Sequence, residues 1–212
     1  IFNMVSHIVG AALGVAALVL CVVVSALKGS AIAVVSSSIY GASLVMLYTM
    51  SSVYHGLRCE MGKKVMQVID HCTIYFLIAG TYTPIVLCTI REYNTAVGCG
   101  IMRVDKVAAW VIFGVVWGFA ALATTLTAID LKNYQKFSMI CYIGMGWCIV
   151  LAAKATMEAL SITRLVLLRT GGVAYTILYG AGKKHRYMHS VFHLFVVAGS
   201  ILHFFCILFY VI

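Results

Sequence analysis

The sequence predicts an all-α membrane protein, a seven-transmembrane helix bundle forming a single domain over residues 1–212. Three observations carry that expectation. Hydrophobic residues make up 63% of the chain and charged residues only 10%, against ~45–50% and ~25% in a soluble domain. The apolar residues fall into seven runs, each near the ~20 residues needed to cross a hydrocarbon core. The stretches between runs are short, so functional residues must lie in the helices or in tight loops.

The first run, 4–27, exceeds the ~7–15-residue core of a signal peptide and lacks a cleavage site, so it reads as a span. The chain opens at Ile1 rather than Met, and residues are expected upstream. Lys28-Gly29-Ser30 separates the first run from the second, 31–57. Polar residues 58–64 precede the third run, 65–88, which contains the single proline in Gly80-Thr81-Tyr82-Thr83-Pro84. Proline there lacks an N–H and is expected to kink the helix and release a carbonyl. Runs at 106–128 and 135–154 follow, separated from their neighbours by 91–105 and 130–136. The sixth run, 160–180, is interrupted by Arg164 and Arg169, whose stems can snorkel to an interface. The seventh, 187–211, follows the basic loop 180–186. Gly10-x-x-x-Gly14 and Gly114-x-x-x-Gly118 offer sites of close helix approach.

A formal net charge of +9 raises nucleic acid as a partner, but the basic residues are scattered between spans. That placement suits anchoring against anionic lipid, and no nucleic-acid partner is expected. The eight cysteines are dispersed, and Cys21, Cys72, Cys88, Cys141, Cys148 and Cys206 lie inside hydrophobic runs. Without paired spacing they suggest neither a disulfide framework nor a thiolate metal site. Buried thiols are expected instead.

Four ionisable residues stand where membrane helices tolerate few: His55, Asp70, His189 and His193. Such groups cost at least a few kcal/mol each and tend to pair, bind or do chemistry. Because successive helices cross in opposite directions, the end of run two and the starts of runs three and seven share one membrane face. All four residues therefore lie at one depth. His189 and His193, at i and i+4, share a helix face with Cβ atoms ~5–6 Å apart. Three histidines with an open fourth position match a catalytic zinc site. Such zinc brings its water to a pKa of ~7. Asp70 is placed to serve that water as general base or to act as a fourth ligand. Ser51, one turn before His55, is placed to hydrogen-bond the water or a substrate oxyanion.

The remaining histidines are expected elsewhere. His71 points about 100° away from Asp70 on a helix. His7 and His203 read as packed or hydrogen-bonded core residues, and His185 as a loop residue. Tyr75, Phe76, Trp110, Trp117 and Trp147 suit packing or an interfacial belt. A retinal protein is excluded, since a Schiff base needs a lysine in the bundle and 187–212 contains none.

Ser51-Ser52-Val53-Tyr54-His55, Ile69-Asp70-His71-Cys72-Thr73-Ile74-Tyr75, the Gly80 to Pro84 motif within Ile78-Ala79-Gly80-Thr81-Tyr82-Thr83-Pro84, and His189-Ser190-Val191-Phe192-His193-Leu194-Phe195-Val196 together resemble the bacterial hemolysin III family. That family is related to the progestin and adipoQ (adiponectin) receptors and, more distantly, to alkaline ceramidases. The resemblance covers essentially the whole chain. It implies a seven-helix bundle with zinc on His55, His189 and His193, Asp70 holding water and Ser51 beside it. It also implies a bacterial plasma-membrane protein with its N-terminus and zinc site toward the cytosol. The charge count leans the same way under the positive-inside rule, with eight Lys and Arg on the site's face and seven on the other. No large extramembrane domain accompanies the bundle in these 212 residues, which weighs against a protein-hormone receptor.

Several functions are compatible with these residues. The first is a zinc-dependent membrane hydrolase acting on an amide or ester in a lipid such as a ceramide, with the lipid or fatty acid held in the bundle. The second is a receptor or membrane-state sensor whose zinc ties helices together. A pore-forming cytolysin has little support, because no amphipathic segment is left over to enter a foreign membrane. A proton or ion pathway is the remaining reading of buried His and Asp.

Overall fold

Helix α1 (Phe2–Leu27) stops where Gly29 takes a left-handed φ of 70°, a conformation that glycine adopts without a Cβ penalty. Ser30 then caps α2 (Ala31–Gly56) by accepting a hydrogen bond from the Ala33 N–H at 3.3 Å. The computed structural model describes residues 2–90, 102–151 and 188–212, together with residues 166, 167, 169, 170 and 173. Within them lie four more helices: α3 (Glu60–Pro84), α4 (Met102–Ile129), α5 (Gln135–Leu151) and α6 (Met188–Tyr210). Asp130 shapes the turn between α4 and α5, its Oδ1 accepting from the N–H groups of Lys132 and Asn133 at 3.0 Å each.

Most helix ends follow the hydropathy pattern closely. Helix α3 departs from it by starting at Glu60 rather than 65, because Lys63 and Lys64 continue the helix beyond its apolar part. At its other end the effect of proline is a change of winding. Pro84 ends the α-helix, and a π-helical turn (Ile85–Ile90) continues the span. Lacking an N–H, Pro84 leaves a carbonyl of the preceding turn without its usual partner, and a wider turn accommodates that loss.

Five of the described helices are long and apolar enough to cross a membrane. The described part of α5 has 17 residues, just under the usual span, and its expected end at 154 lies outside the described residues. The sixth run, 160–180, lies outside them too apart from its five single residues, as do the polar stretch 154–158 expected before it, the basic loop 180–186 with His185, and most of 91–105. Among the described residues the architecture is thus all-helical and membrane-type.

Two packed layers share α3. On one side α1 lies along α2, and α1 also meets α6. Cys21, Tyr40, Leu44, Tyr48, Leu77, Val196 and Ile207 form the core there. On the other side Tyr75, Ala79, Tyr82, Val86, Val116 and Met145 join α3 to α4 and α5. Buried tyrosines satisfy their hydroxyls inside: Tyr75 pairs with Thr127 Oγ1 at 3.1 Å, and Tyr82 donates to the Gly146 carbonyl at 2.8 Å. Outward faces stay apolar, with Val9, Leu13, Val23, Val111, Phe119 and Phe209 all exposed. In water such a surface would drive aggregation, whereas lipid solvates it.

The two glycine pairs behave differently. A Cβ on Gly10 would lie 2.6 Å from Tyr48 Cδ1, and one on Gly14 would lie 3.3 Å from the Val45 nitrogen, so this pair seats α1 against α2. Gly114 and Gly118 would meet nothing within 4 Å among the described residues, so no close helix contact is seen there among them. Cys21, Cys59, Cys72, Cys88, Cys141 and Cys206 are free, and all of these but Cys59 are buried, as expected of packed thiols.

Candidate functional site

His55 lies in the last turn of α2, His193 in the second turn of α6, and antiparallel crossing brings both to one end of the bundle. Their ring centroids are 4.8 Å apart, with the planes nearly perpendicular at 87°. His193 is buried and His55 half-buried. His189 occupies the first turn of α6, one turn before His193, and its side chain lies outside the described residues.

Ser51 is buried on α2, one turn from His55. Asp70 is half-buried on α3. Tyr54 packs beside His55 with ring centroids 4.8 Å apart, and Lys63 Nζ sits 5.9 Å from the Tyr54 ring centre. Helix α3, which carries Asp70, packs along α2, which carries His55. His71 faces elsewhere, as expected: its Nδ1 bonds to the Gln67 carbonyl at 2.8 Å within the helix. The His71 carbonyl accepts from Tyr142 at 2.9 Å.

One residue joins this group that the sequence reading placed among packed or hydrogen-bonded core histidines, outside the site. His7, in the second turn of α1, is buried, and its Nε2 meets His193 Nδ1 directly. The His7 and His193 rings stand edge to face at 84° with centroids 4.3 Å apart, and His7 is 6.1 Å from His55. The signal that could have found it was available. A helix beginning at residue 2 starts on the same face as helices three and seven, so His7 matches the other histidines in depth.

A second polar layer lies beneath. Tyr48, two turns before His55 on the same helix face, donates to Ser200 Oγ at 2.6 Å. The same hydroxyl lies 3.3 Å from the Val196 carbonyl on α6, and its ring lies 5.3 Å from His7. Helices α1, α2 and α6 are thereby tied together just below the histidines.

The donor set suits a nitrogen-liganded metal. Two imidazoles on one tetrahedral zinc, with Zn–N of ~2.0–2.1 Å, hold their ring centroids roughly 5 Å apart. His55 and His193, at 4.8 Å, meet that spacing. Among the described residues no three His, Cys, Asp or Glu side chains form a metal-holding group. The nitrogens of His7 and His193 face each other rather than a shared point, so those two with His55 do not make one.

The haemolysin-III-related family matches residues 1–204. The chain belongs to that family. The Bacillus cereus protein Hemolysin-3 is similar to it at 34% identity, covering 100% of this chain and 91% of that protein. The Hemolysin-3 homolog of Bacillus subtilis (strain 168) is similar at 32% identity over 99% of this chain and 93% of that protein. A weaker similarity reaches the human Monocyte to macrophage differentiation factor, at 24% identity over 82% of this chain and 69% of that protein. That last likeness agrees with a more distant kinship to the progestin and adipoQ receptors. As a haemolysin-III-related protein with apolar helices of spanning length, this chain is an integral membrane protein.

Proposed function

We propose that this haemolysin-III-related protein is a seven-helix bundle of the bacterial plasma membrane that holds zinc on His55, His189 and His193. The site faces the cytosol, and the reaction is hydrolysis of an amide or ester bond in a membrane lipid. The observation that carries the reading is the approach of His55 and His193, 4.8 Å apart on helices distant in sequence. His189 stands one turn from His193, where an imidazole can reach the same ion.

When bound, zinc would supply a water of pKa near ~7 and polarise the scissile carbonyl. His55 and His193 are oriented by their helices and offer neutral ring nitrogens. Asp70 Oδ accepts a proton from the attacking water, then returns it to the leaving amine or alcohol. Ser51 Oγ–H, buried one turn from His55, donates to the developing oxyanion. The new C–O bond forms to the acyl carbon as the C–N or C–O bond to the leaving group breaks. Burial of Ser51 and His193 keeps bulk water away, while the lipid-facing helices give the substrate a route from the bilayer.

A second reading has an observation of its own. Histidines from α1, α2 and α6 meet in one cluster, so that a metal on His55 and His193 would tie α2 to α6 while His7 joins α1 to them, which suits a clamp that holds helices for a receptor or membrane-state sensor. Turnover of ceramide, phospholipid and acyl-ester panels by purified protein, with and without chelator, separates the two. Chelator-sensitive product formation supports the hydrolase. Zinc-loaded protein that turns over none of these lipids leaves the clamp.

A further inference from the structure

Helix α1 carries none of the three proposed ligands, yet its histidine lies nearer to His193 than His55 does, at 4.3 Å against 4.8 Å between ring centroids. His7 is only 3% exposed, and the contact is specific, Nε2 of His7 against Nδ1 of His193. A neutral imidazole has one N–H and one lone pair. With its Nδ1 engaged by His7, His193 has only Nε2 left for a metal. A lone pair on Nε2 for a metal would place the proton on Nδ1, and His193 Nδ1–H would then donate to His7 Nε2.

The surroundings hold this pair in place. Gly10, one turn deeper than His7, lets the Tyr48 ring lie against α1 where a Cβ would come within 2.6 Å. The Tyr48 hydroxyl then grips α6 through Ser200 at 2.6 Å. The α1–α6 distance at the histidines is therefore set by packing one to two turns below them. Metal-bound histidines commonly donate their second N–H to an outer group that fixes tautomer and ring orientation.

We propose that His7 is a positioning residue for the metal centre: by accepting the His193 Nδ1–H it locks the tautomer that presents His193 Nε2 to zinc. This rests on the zinc reading above. It assigns α1 a part in the site that the three-histidine set leaves out.

The test compares wild type, His7→Gln, His7→Leu, His7→Ala and His193→Ala, purified in detergent at one fixed pH. Zinc affinity is read by competition with a chromophoric chelator, and ligand geometry by the visible spectrum of the cobalt(II) form. The expected result is a 10–100-fold weaker zinc affinity in both His7→Leu and His7→Ala. His7→Gln, whose amide oxygen can accept the same hydrogen bond, recovers most of the affinity with an unchanged cobalt spectrum. Two sizes of apolar replacement, with melting curves of the metal-free proteins, tell lost packing from the lost acceptor. Wild-type affinity in both apolar variants, while His193→Ala loses zinc, overturns the role of His7 and leaves the zinc reading standing. Loss of zinc in His7→Gln with a changed cobalt spectrum overturns it too, by making His7 a direct ligand. Wild-type protein that takes up no zinc overturns the metal reading and this inference together.

Discussion

His7 Nε2 and His193 Nδ1 meet across 186 residues of sequence, edge to face, with ring centroids 4.3 Å apart. The contact joins the first helix to the C-terminal one at the end of the bundle where His55 also lies. Polar groups at one membrane depth meet only if their helices are lateral neighbours, and α1 packs against both α2 and α6. The small surface of Gly10 and the Tyr48–Ser200 hydrogen bond make that neighbourhood close. The same three helices therefore shape both the apolar core and the histidine cluster above it.

Zinc content should follow the ligand set. Wild-type protein is expected to carry one zinc per chain, and His55→Ala, His189→Ala and His193→Ala should each lose most of it. Elemental analysis of the purified variants checks this. Full occupancy in all three would remove these histidines as ligands.

Metal should also stabilise the bundle. A ligand bound only by the folded state adds about 4 kcal/mol when its free concentration is 1,000 times Kd. Chelation is expected to lower the melting temperature in detergent, and readdition of zinc to restore it. The measurement is a pair of thermal melts, with metal removal verified; identical curves would count against a metal shared between helices.

Asp70 should serve the reaction more than the metal. Asp70→Asn keeps the histidines and removes the proton acceptor, so zinc should be retained while lipid hydrolysis falls by roughly 10²–10⁴-fold. Paired zinc and turnover assays read both effects. Loss of zinc in Asp70→Asn would instead make Asp70 a direct ligand and close the site.

The two glycine pairs should respond in opposite ways. Gly10→Ala pushes a Cβ to 2.6 Å from a Tyr48 ring anchored through its hydroxyl, and a destabilisation of roughly 1–3 kcal/mol is expected from overpacking. Gly118→Ala meets nothing within 4 Å among the described residues and gains helix propensity, so it should be neutral or stabilising. Melting of both variants in the same detergent decides. Equal effects would mean that Gly10 does not set the α1–α2 distance.

Much of the bundle was legible in residue order because the bilayer imposes simple constraints. Runs of about twenty apolar residues had to be helices, and α1, α2 and α6 begin and end within two residues of the runs that marked them. Alternating direction then set the depth of every polar residue, which is why His55 and His193 could be expected together before any contact was known. Pro84 announced a disturbed helix, although its form, a π-helical turn, depends on how the freed backbone groups find partners.

Depth is one coordinate of three. Which helices are neighbours, and which face each turns inward, follow from side-chain packing that no periodicity specified. Gly10 and Gly118 read alike in the sequence, yet only Gly10 lies against another helix among the described residues. His7 shared its depth with His55 and His193 from the start. Its nitrogen came to face His193 Nδ1 only because α1 is wedged between α2 and α6 at the Tyr48 contact. Hydropathy sufficed for the described helices and their levels, since burial in lipid acts on each segment separately. Tertiary structure alone decided the partners, since lateral contact depends on the fit of several helices at once.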